Sequence, residues 1–171
     1  VTEFFEKYRD VALPDGSLAK LAIYFPQTDD LRELRPVVEA KLNELGLSTD
    51  LVLECHSGSG VADRSAFERI NDPNSPKRVV LLVNMGTEGW NVPSLFACAL
   101  ARKLKTSNNF VLQAASRCLR QIPGNTVPAS IFLSTENQQT LDKELRETYG
   151  ESLDDLRRKE STSKSATIIL R

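Results

Sequence analysis

The sequence predicts an α/β domain built around a mainly parallel β-sheet. Short apolar runs rich in strand-forming residues alternate with amphipathic helical patterns, which is typical of strands and helices that alternate along a chain. The run over residues 78–83, RVVLLV, is apolar at nearly every position, as expected of a central parallel strand covered on both faces. The length of 171 residues suits a single domain with its own core.

The strand candidates are the short apolar runs between turn signals, at residues 20–25, 51–55, 78–83, 95–101 and 129–133. The first helical pattern repeats apolar residues at spacings of three and four from Leu31 to Leu45, and Gly46 is a good stop. Pro36 lies within this pattern. Either the helix bends there, or Pro36 belongs to its first turn and the preceding residues form a separate turn. Further helices are expected at residues 65–70, 108–120 and 135–149.

Residues 19–155 are interpreted as the domain proper. Residues 1–18 are mixed in character, with a turn signal at residues 14–16, and are interpreted as an N-terminal segment or linker. Residues 156–171 form a charged tail that ends in an apolar stretch, either a final strand or the start of a missing neighbour. Because the chain begins at Val1 and its one methionine is Met85, we expect either a processed chain or an excised domain, and favour the excised domain.

Composition excludes several classes of protein. The net charge of -1 gives no global electrostatic reason to bind nucleic acid, so such binding would need a local patch. Three widely spaced cysteines suit neither a disulfide framework nor a zinc site and indicate a reducing, cytoplasmic setting. No apolar run approaches the roughly 20 residues of a membrane span, and no signal peptide is visible.

Several catalytic patterns are absent or incomplete. There is no GxxxxGK[ST] phosphate loop, and the Gly58–Gly60 pair lacks the third glycine of a dinucleotide-binding turn. His56 is the single histidine; without a GxSxG elbow it is interpreted as a strand-end residue near the surface. Asp15 with Glu39 and Lys41 matches a loose nuclease pattern. Glu39 and Lys41, however, lie two residues apart in a helix and point away from each other.

One segment suited to ligand binding is residues 83–93, VNMGTEGWNVP, at the end of the central strand. Two glycines allow the backbone to approach a ligand closely, and N–H groups in such a turn can face phosphate oxygens. Thr87 adds a hydroxyl group. Ligands of parallel sheets bind beyond the carboxyl ends of the strands, so this loop is expected to belong to a site. The alternative is an ordinary strand–helix loop that binds no ligand.

A second such segment is residues 113–120, QAASRCLR. On a helix, Gln113, Arg117 and Arg120 share one face, while Cys118 can serve the buried side together with Phe110, Leu112 and Leu119. Two guanidinium groups beside an amide form a clamp for anions, since arginine binds phosphate in a planar, bidentate way. The alternative is a solvated helix face with ordinary arginines.

Together, the two segments resemble motifs V and VI of superfamily two helicases, including the DEAD/DEAH-box proteins. Motif VI of that family reads roughly QxxGRxxR. In the restriction subunits of type III restriction enzymes, motif V resembles EGWDxPxVF, which matches residues 88–96 here. The strand at residues 20–25, followed by Gln27 and Thr28, falls where motif IV would be. The resemblance covers roughly residues 20–150 and implies a three-layer αβα, RecA-like helicase C-terminal domain. Asn91 and Ser116 depart from the family pattern, in place of an acidic residue and a glycine.

The resemblance implies a role for each matching residue. Arg120 would be the arginine finger, and Arg117 would also approach the terminal phosphates of ATP. The nucleotide would further contact Gly89, Asn91 and Glu88, and Gln113 would link its state to domain closure. The nucleic-acid backbone would be contacted by Thr87, Gln27 and Thr28.

The resemblance also implies cofactors and partners. ATP and Mg²⁺ would lie mainly on a first RecA-like domain of the same polypeptide, so the isolated chain is expected to hold neither and to be inactive alone. DNA is favoured over RNA as the substrate, and a modification subunit is a further implied partner; no membrane is expected. Because of Asn91 and Ser116, a degenerate domain that serves only as a nucleic-acid-binding or scaffold module stays open. Arg102, Lys103 and Lys105 either help to hold the strand or form a solvated loop.

Overall fold

A five-stranded, all-parallel sheet forms the middle layer of the molecule. The computed structural model describes residues 1–86, 89–101, 113–114, 116–118 and 125–155. Along the chain the strands are β1 (Lys20–Phe25), β2 (Val52–Cys55), β3 (Val79–Val83), β4 (Leu95–Leu100) and β5 (Ser130–Phe132). In space they lie in the order β2-β3-β1-β4-β5, and every neighbouring pair is parallel. The predicted α/β class and the five strand positions are confirmed.

Two helices cover one face of the sheet. Helix α1 (Thr2–Tyr8) and helix α2 (Thr28–Glu44) pack on the sheet side chains that include Leu21, Ile23 and Leu81. Helix α2 continues through Pro36, which lies in its middle on the exposed side, so Pro36 is not a first-turn residue. Gly46 follows with a φ of 69°, as a helix stop requires.

The opposite face is covered by more varied elements. Helix α3 (Val61–Glu68), helix α4 (Thr135–Tyr149) and the residues around Ala114 and Cys118 pack on Ala22, Val80 and neighbouring side chains. Helix α3 begins four residues before the predicted start at residue 65. The sequence pattern missed this start because the first turn has no buried apolar side chain, and Val61 itself is 87% exposed. No helix in the described ranges has the length and apolar character that a bilayer span requires.

Helix α1 was not expected from the sequence, which placed no element in residues 1–18. Its side chains Phe4, Phe5 and Tyr8 are fully buried, and they belong to the same cluster as the sheet. A helix of seven residues is too short to show a helical period, and its burial depends on contacts distant in sequence. The division of the chain at residues 18 and 19 stays a prediction.

A buried arginine attaches α1 to the amino-terminal edge of the sheet. Arg78, just before β3, donates hydrogen bonds from Nε to Ala19 O and from Nη2 to Tyr8 O (2.9 Å) and Arg9 O (3.1 Å). Its guanidinium also lies over the ring of Phe5, 5.4 Å from the centroid. A cation at the C-terminal end of a helix satisfies carbonyls that have no partner within the helix.

Arg78→Ala should therefore lower the free energy of unfolding by roughly 3 kcal/mol, because three carbonyl groups lose a charged donor. Urea denaturation followed by circular dichroism measures this. Arg32→Ala, which removes a guanidinium that is 68% exposed, is the matched control and should change the value by less than about 0.5 kcal/mol. Equal effects of the two substitutions would contradict the anchoring role of Arg78.

Lys20 predicts a dependence of stability on pH. Its side chain is 1% exposed, and burial, followed by the nearby charge of Arg78, lowers the pKa of Lys20 from 10.5 to about 8. Between pH 8 and 10.5 the unfolded chain holds a proton that the folded chain has lost, so stability should rise with pH in this window. The slope from this group is at most about 1.4 kcal/mol per pH unit. Lys20→Met should remove this rise. The free energy of unfolding is measured by urea titration at several pH values, and an unchanged slope against pH in the variant would contradict the role of Lys20.

Candidate functional site

The carboxyl ends of the strands present both Gln27 and Thr28 and the loop that follows β3. Gln27 precedes the first turn of α2 directly after β1 and is exposed, while Thr28 begins the helix and is half-buried. Parallel strands place their carboxyl ends at one edge of the sheet, and β1 and β3 are neighbours in it. The structure therefore places Gln27 and Thr28 at the same edge as the start of the residue 84–94 loop.

The residue 84–94 loop has a backbone that only a few residue types tolerate. Asn84, Gly86 and Gly89 have φ values of 53°, 73° and 66°. A Cβ atom on Gly86 would lie 2.9 Å from both Leu82 Cδ1 and Trp90 Cε3, whereas one on Gly89 would meet no described atom within 4 Å. Gly86 thus allows close packing, and Gly89 leaves open space at the surface.

Tyr24, a residue of β1, holds the beginning of this loop by a hydrogen bond. Its hydroxyl donates a hydrogen bond to Gly86 O at 3.1 Å from within the core. Burial, with a smaller contribution from Cys98, raises the pKa of Tyr24 far above its usual range, and the charge of Arg117 opposes this shift. The hydroxyl therefore remains protonated and can donate.

Trp90 and Asn91 connect the loop to α3 and to the turn after it. The indole of Trp90 stacks on Phe67 with ring centroids 5.2 Å apart and an interplanar angle of 13°. Asn71 Nδ2 donates to Asn91 O at 2.7 Å. The Trp90 Nε1 atom is buried without a hydrogen-bond partner among the described residues. The position of Trp90 is therefore set by ring packing.

Arg117 joins the second predicted segment to the first. Its Nη1 atom donates to Trp90 O at 3.2 Å, and its Nε atom is buried without a hydrogen-bond partner in the described part of the chain. Gln113 is exposed, and Ser116 Oγ donates to Gln113 O. The sequence placed these two segments together, and the structure brings Arg117 to the Gly89–Trp90 turn.

The buried side of this segment is held by thiol groups. Cys118 Sγ lies 3.1 Å from Cys98 Sγ, and Cys98 Sγ donates to Ala114 O at 3.2 Å. The contact with Cys118 and burial both raise the pKa of Cys98, which keeps it a thiol. The predicted buried role of Cys118 is confirmed, and Ala114 shares it. Arg117 therefore projects from a segment that is fixed to β4.

The remaining predicted residues of these segments are Thr87, Glu88, Arg120, the basic residues 102, 103 and 105, and the apolar residues 110, 112 and 119, which all lie outside the described part of the chain.

The rejected catalytic patterns are ordinary structural features. His56 is 8% exposed, deeper than the near-surface position expected, since its ring has partners on both sides. Gly58 N–H donates to Nδ1 at 3.0 Å, so Nε2 carries the proton and donates to Glu54 Oε1 at 3.0 Å. Glu39 lies in α2, where it pairs with Arg35. No group of potential metal ligands is present in the described ranges.

Three residues of the site were missed by the sequence analysis. Tyr24 read as one more strand former, and Phe67 and Asn71 lie outside any motif. The one available signal was the hydroxyl group of Tyr24 among the apolar residues that follow Lys20 in β1. The contacts of Phe67 and Asn71 with the loop span 20 or more positions along the chain, so they form only when the chain folds.

Comparison with solved structures shows the fold. Domain 2 of the DEAD-box helicase Mss116p, bound to an RNA duplex, matches with a TM-score of 0.58 and 13% identity over 89% of this chain and 53% of that one. The C-terminal domain of S. cerevisiae Dbp5, bound to Gle1 and IP6, matches with a TM-score of 0.52 and 12% identity, over 86% and 82%. The fold is that of a helicase C-terminal RecA-like domain, and this chain spans about half of the Mss116p structure.

Comparisons by sequence give no relative. No protein-family model matches the chain, and no curated protein matches it.

The two glycines of the loop should respond differently to substitution. Both alanine variants incur the cost of a left-handed backbone, about 1–2 kcal/mol. Gly86→Ala should cost roughly 2–4 kcal/mol in total, because its methyl group overlaps Leu82 and Trp90. Urea unfolding and the emission of Trp90 measure the difference. Equal destabilisation by Gly86→Ala and Gly89→Ala would contradict the packing described at Gly86.

Proposed function

We propose that this chain is the second motor domain of an ATP-dependent DNA helicase or translocase, similar to the restriction subunits of type III restriction enzymes. The observation that carries the proposal is the hydrogen bond from Arg117 to Trp90 O, which joins the two motif-like segments. The fold supports it, since solved domains of this architecture occur in helicases. Sequence contributes the finer assignment through the EGWN and QxxSRxxR patterns.

The residues that face the proposed nucleotide suit an anionic ligand. Gly89 has open space at its surface, and Asn91 and Gln113 are exposed. Arg117 is half-buried, and its Nε is a donor without a partner in the described chain. Bound ATP would supply the transferred phosphoryl group and the free energy for domain closure, with Mg²⁺ held by the first RecA-like domain.

Within this proposal each residue has a defined task. Arg117 and Arg120 place fixed positive charge beside the terminal phosphates, where negative charge develops during phosphoryl transfer. Gly89 and Asn91 would touch the nucleotide at its γ-phosphate and ribose side, and Glu88 would also belong to the nucleotide-binding residues. Asn91 can hydrogen-bond a hydroxyl group without contributing charge.

Nucleic acid would lie across the carboxyl edge of the sheet. Gln27 and Thr28, with Thr87, contact backbone phosphates, and such contacts hold a strand without reading its sequence. We favour DNA over RNA because the EGWN pattern resembles the type III restriction subunits. A first RecA-like domain of the same polypeptide is the necessary partner, and a modification subunit is a further one.

Arginine substitutions in the complete polypeptide test the proposal. Arg120→Ala should lower the DNA-stimulated turnover of ATP by about 10³-fold or more, since it removes the charge that stabilises the transition state. Arg117→Ala should also reduce turnover. The measurement is steady-state ATP hydrolysis with and without duplex DNA, with single-stranded RNA as the competing activator.

The exposed arginine variant Arg32→Ala is the control for loss of a positive charge and should leave turnover unchanged. Unchanged turnover in both Arg117→Ala and Arg120→Ala would contradict the motor function. It would favour a degenerate domain that binds nucleic acid or serves as a scaffold. That alternative is suggested by Asn91 and Ser116, which depart from the helicase motifs. Stronger activation by RNA would contradict the choice of DNA.

A further inference from the structure

We propose that Phe67 and Asn71, at the end of α3 and in the turn after it, are positioning residues for the nucleotide-facing loop. This inference rests on the proposed function. Neither residue belongs to a motif, yet both contact the loop that carries Gly89 and Asn91. They act through Trp90 and through the main chain of Asn91.

The ring of Phe67 restrains the Trp90 indole. The two rings stack at 5.2 Å, and Gly86 approaches the indole so closely that a Cβ there would lie 2.9 Å from Cε3. Packing with Phe67 and Gly86 restrains the indole, which also packs on the core cluster of this face of the sheet. An aromatic contact of this kind shifts an equilibrium by a factor of about 2 to 10.

Asn71 and Arg117 hold consecutive carbonyl groups of the loop. Arg117 donates to Trp90 O and Asn71 donates to Asn91 O, so the peptide planes on both sides of Asn91 are fixed. The direction of the Cα–Cβ bond of Asn91 follows from these two planes, since they set its φ and ψ. The loop is therefore gripped between α3 and the segment of Arg117.

A positioning role differs from simple support of the core. Phe67 is half-buried and Asn71 is exposed, so neither is a central core residue. If they position the loop, their loss should release Trp90 and weaken the contribution of Arg117, while the rest of the domain stays folded.

Fluorescence of the chain by itself tests the contact, because Trp90 is its one tryptophan. Phe67→Ala should shift the emission to longer wavelength and increase quenching by acrylamide, whereas Phe67→Tyr should restore both. Asn71→Asp, which removes the donor without changing the size of the side chain, should act in the same direction. Val61→Ala, on the 87% exposed start of α3, is the matched control and should leave the spectrum unchanged. Unchanged emission and quenching in Phe67→Ala would overturn the inference.

Turnover in the complete polypeptide tests the consequence. Phe67→Ala should reduce the turnover of ATP roughly 2- to 10-fold, with rescue by Phe67→Tyr, and should have no further effect in an Arg117→Ala background. Independent, multiplicative effects of the two substitutions would overturn the inference. If Arg117→Ala alone leaves turnover unchanged, the proposed function fails instead, and the fluorescence result still decides whether Phe67 holds the loop.

Discussion

The structure depends on how the chain passes from the carboxyl end of β3 to the amino end of β4. These strands lie on either side of β1, so the connection must cross the sheet. Parallel strands are usually joined by a helix, but here the residue 84–94 loop makes the crossing. It covers the sheet with Met85, Trp90 and Val92 in place of a helix. The loop has left-handed backbone at Asn84, Gly86 and Gly89, which glycine adopts more readily than other residues.

Contacts from three sides keep this crossing in place. Tyr24 donates to it from the sheet, Phe67 stacks on it from α3, and Arg117 donates to it from the segment near β4. A helix would satisfy its own backbone groups, whereas an irregular crossing needs donors from other elements. Arg117 meets this need with Nη1, which donates to Trp90 O. Its Nε has no partner in the described part of the chain, so Arg117 is also a candidate for phosphate contact.

The amino-terminal edge of the sheet is held together by buried cations. There, Arg78 is buried beneath α1 and satisfies carbonyl groups of that helix, and Lys20 lies close enough for the two positive charges to interact. Cations at this edge are used in holding the chain together. At the carboxyl edge, polar side chains such as those of Gln27 after β1 and Asn84 after β3 stay exposed. The buried cations and the exposed polar side chains thus lie at opposite edges of one sheet.

Sequence by itself determined the α/β class and the five strands. Apolar runs and helical spacing are local, and burial on both faces leaves a readable pattern in the 78–83 run. Helix α1, the early start of α3 at Val61 and the burial of His56 could not be predicted in this way. The stability of α1 comes from partners distant in the chain, among them Arg78. The ring of His56 is held by Glu54 and Gly58, each two residues away, through contacts that residue spacing alone does not reveal.

The tertiary structure alone decided which side chains complete the site. The recurrence of glycine and arginine marks a possible anion site in the sequence, but nothing in a linear pattern links Phe67 to Trp90 or Asn71 to Asn91. These pairs meet because α3 and the residue 84–94 loop pack on the same face of the sheet. The spacing of residues along the chain reveals the periodicity of each single element. Which elements pack together depends on the shape and burial of residues that are distant in the chain, and spacing does not show this.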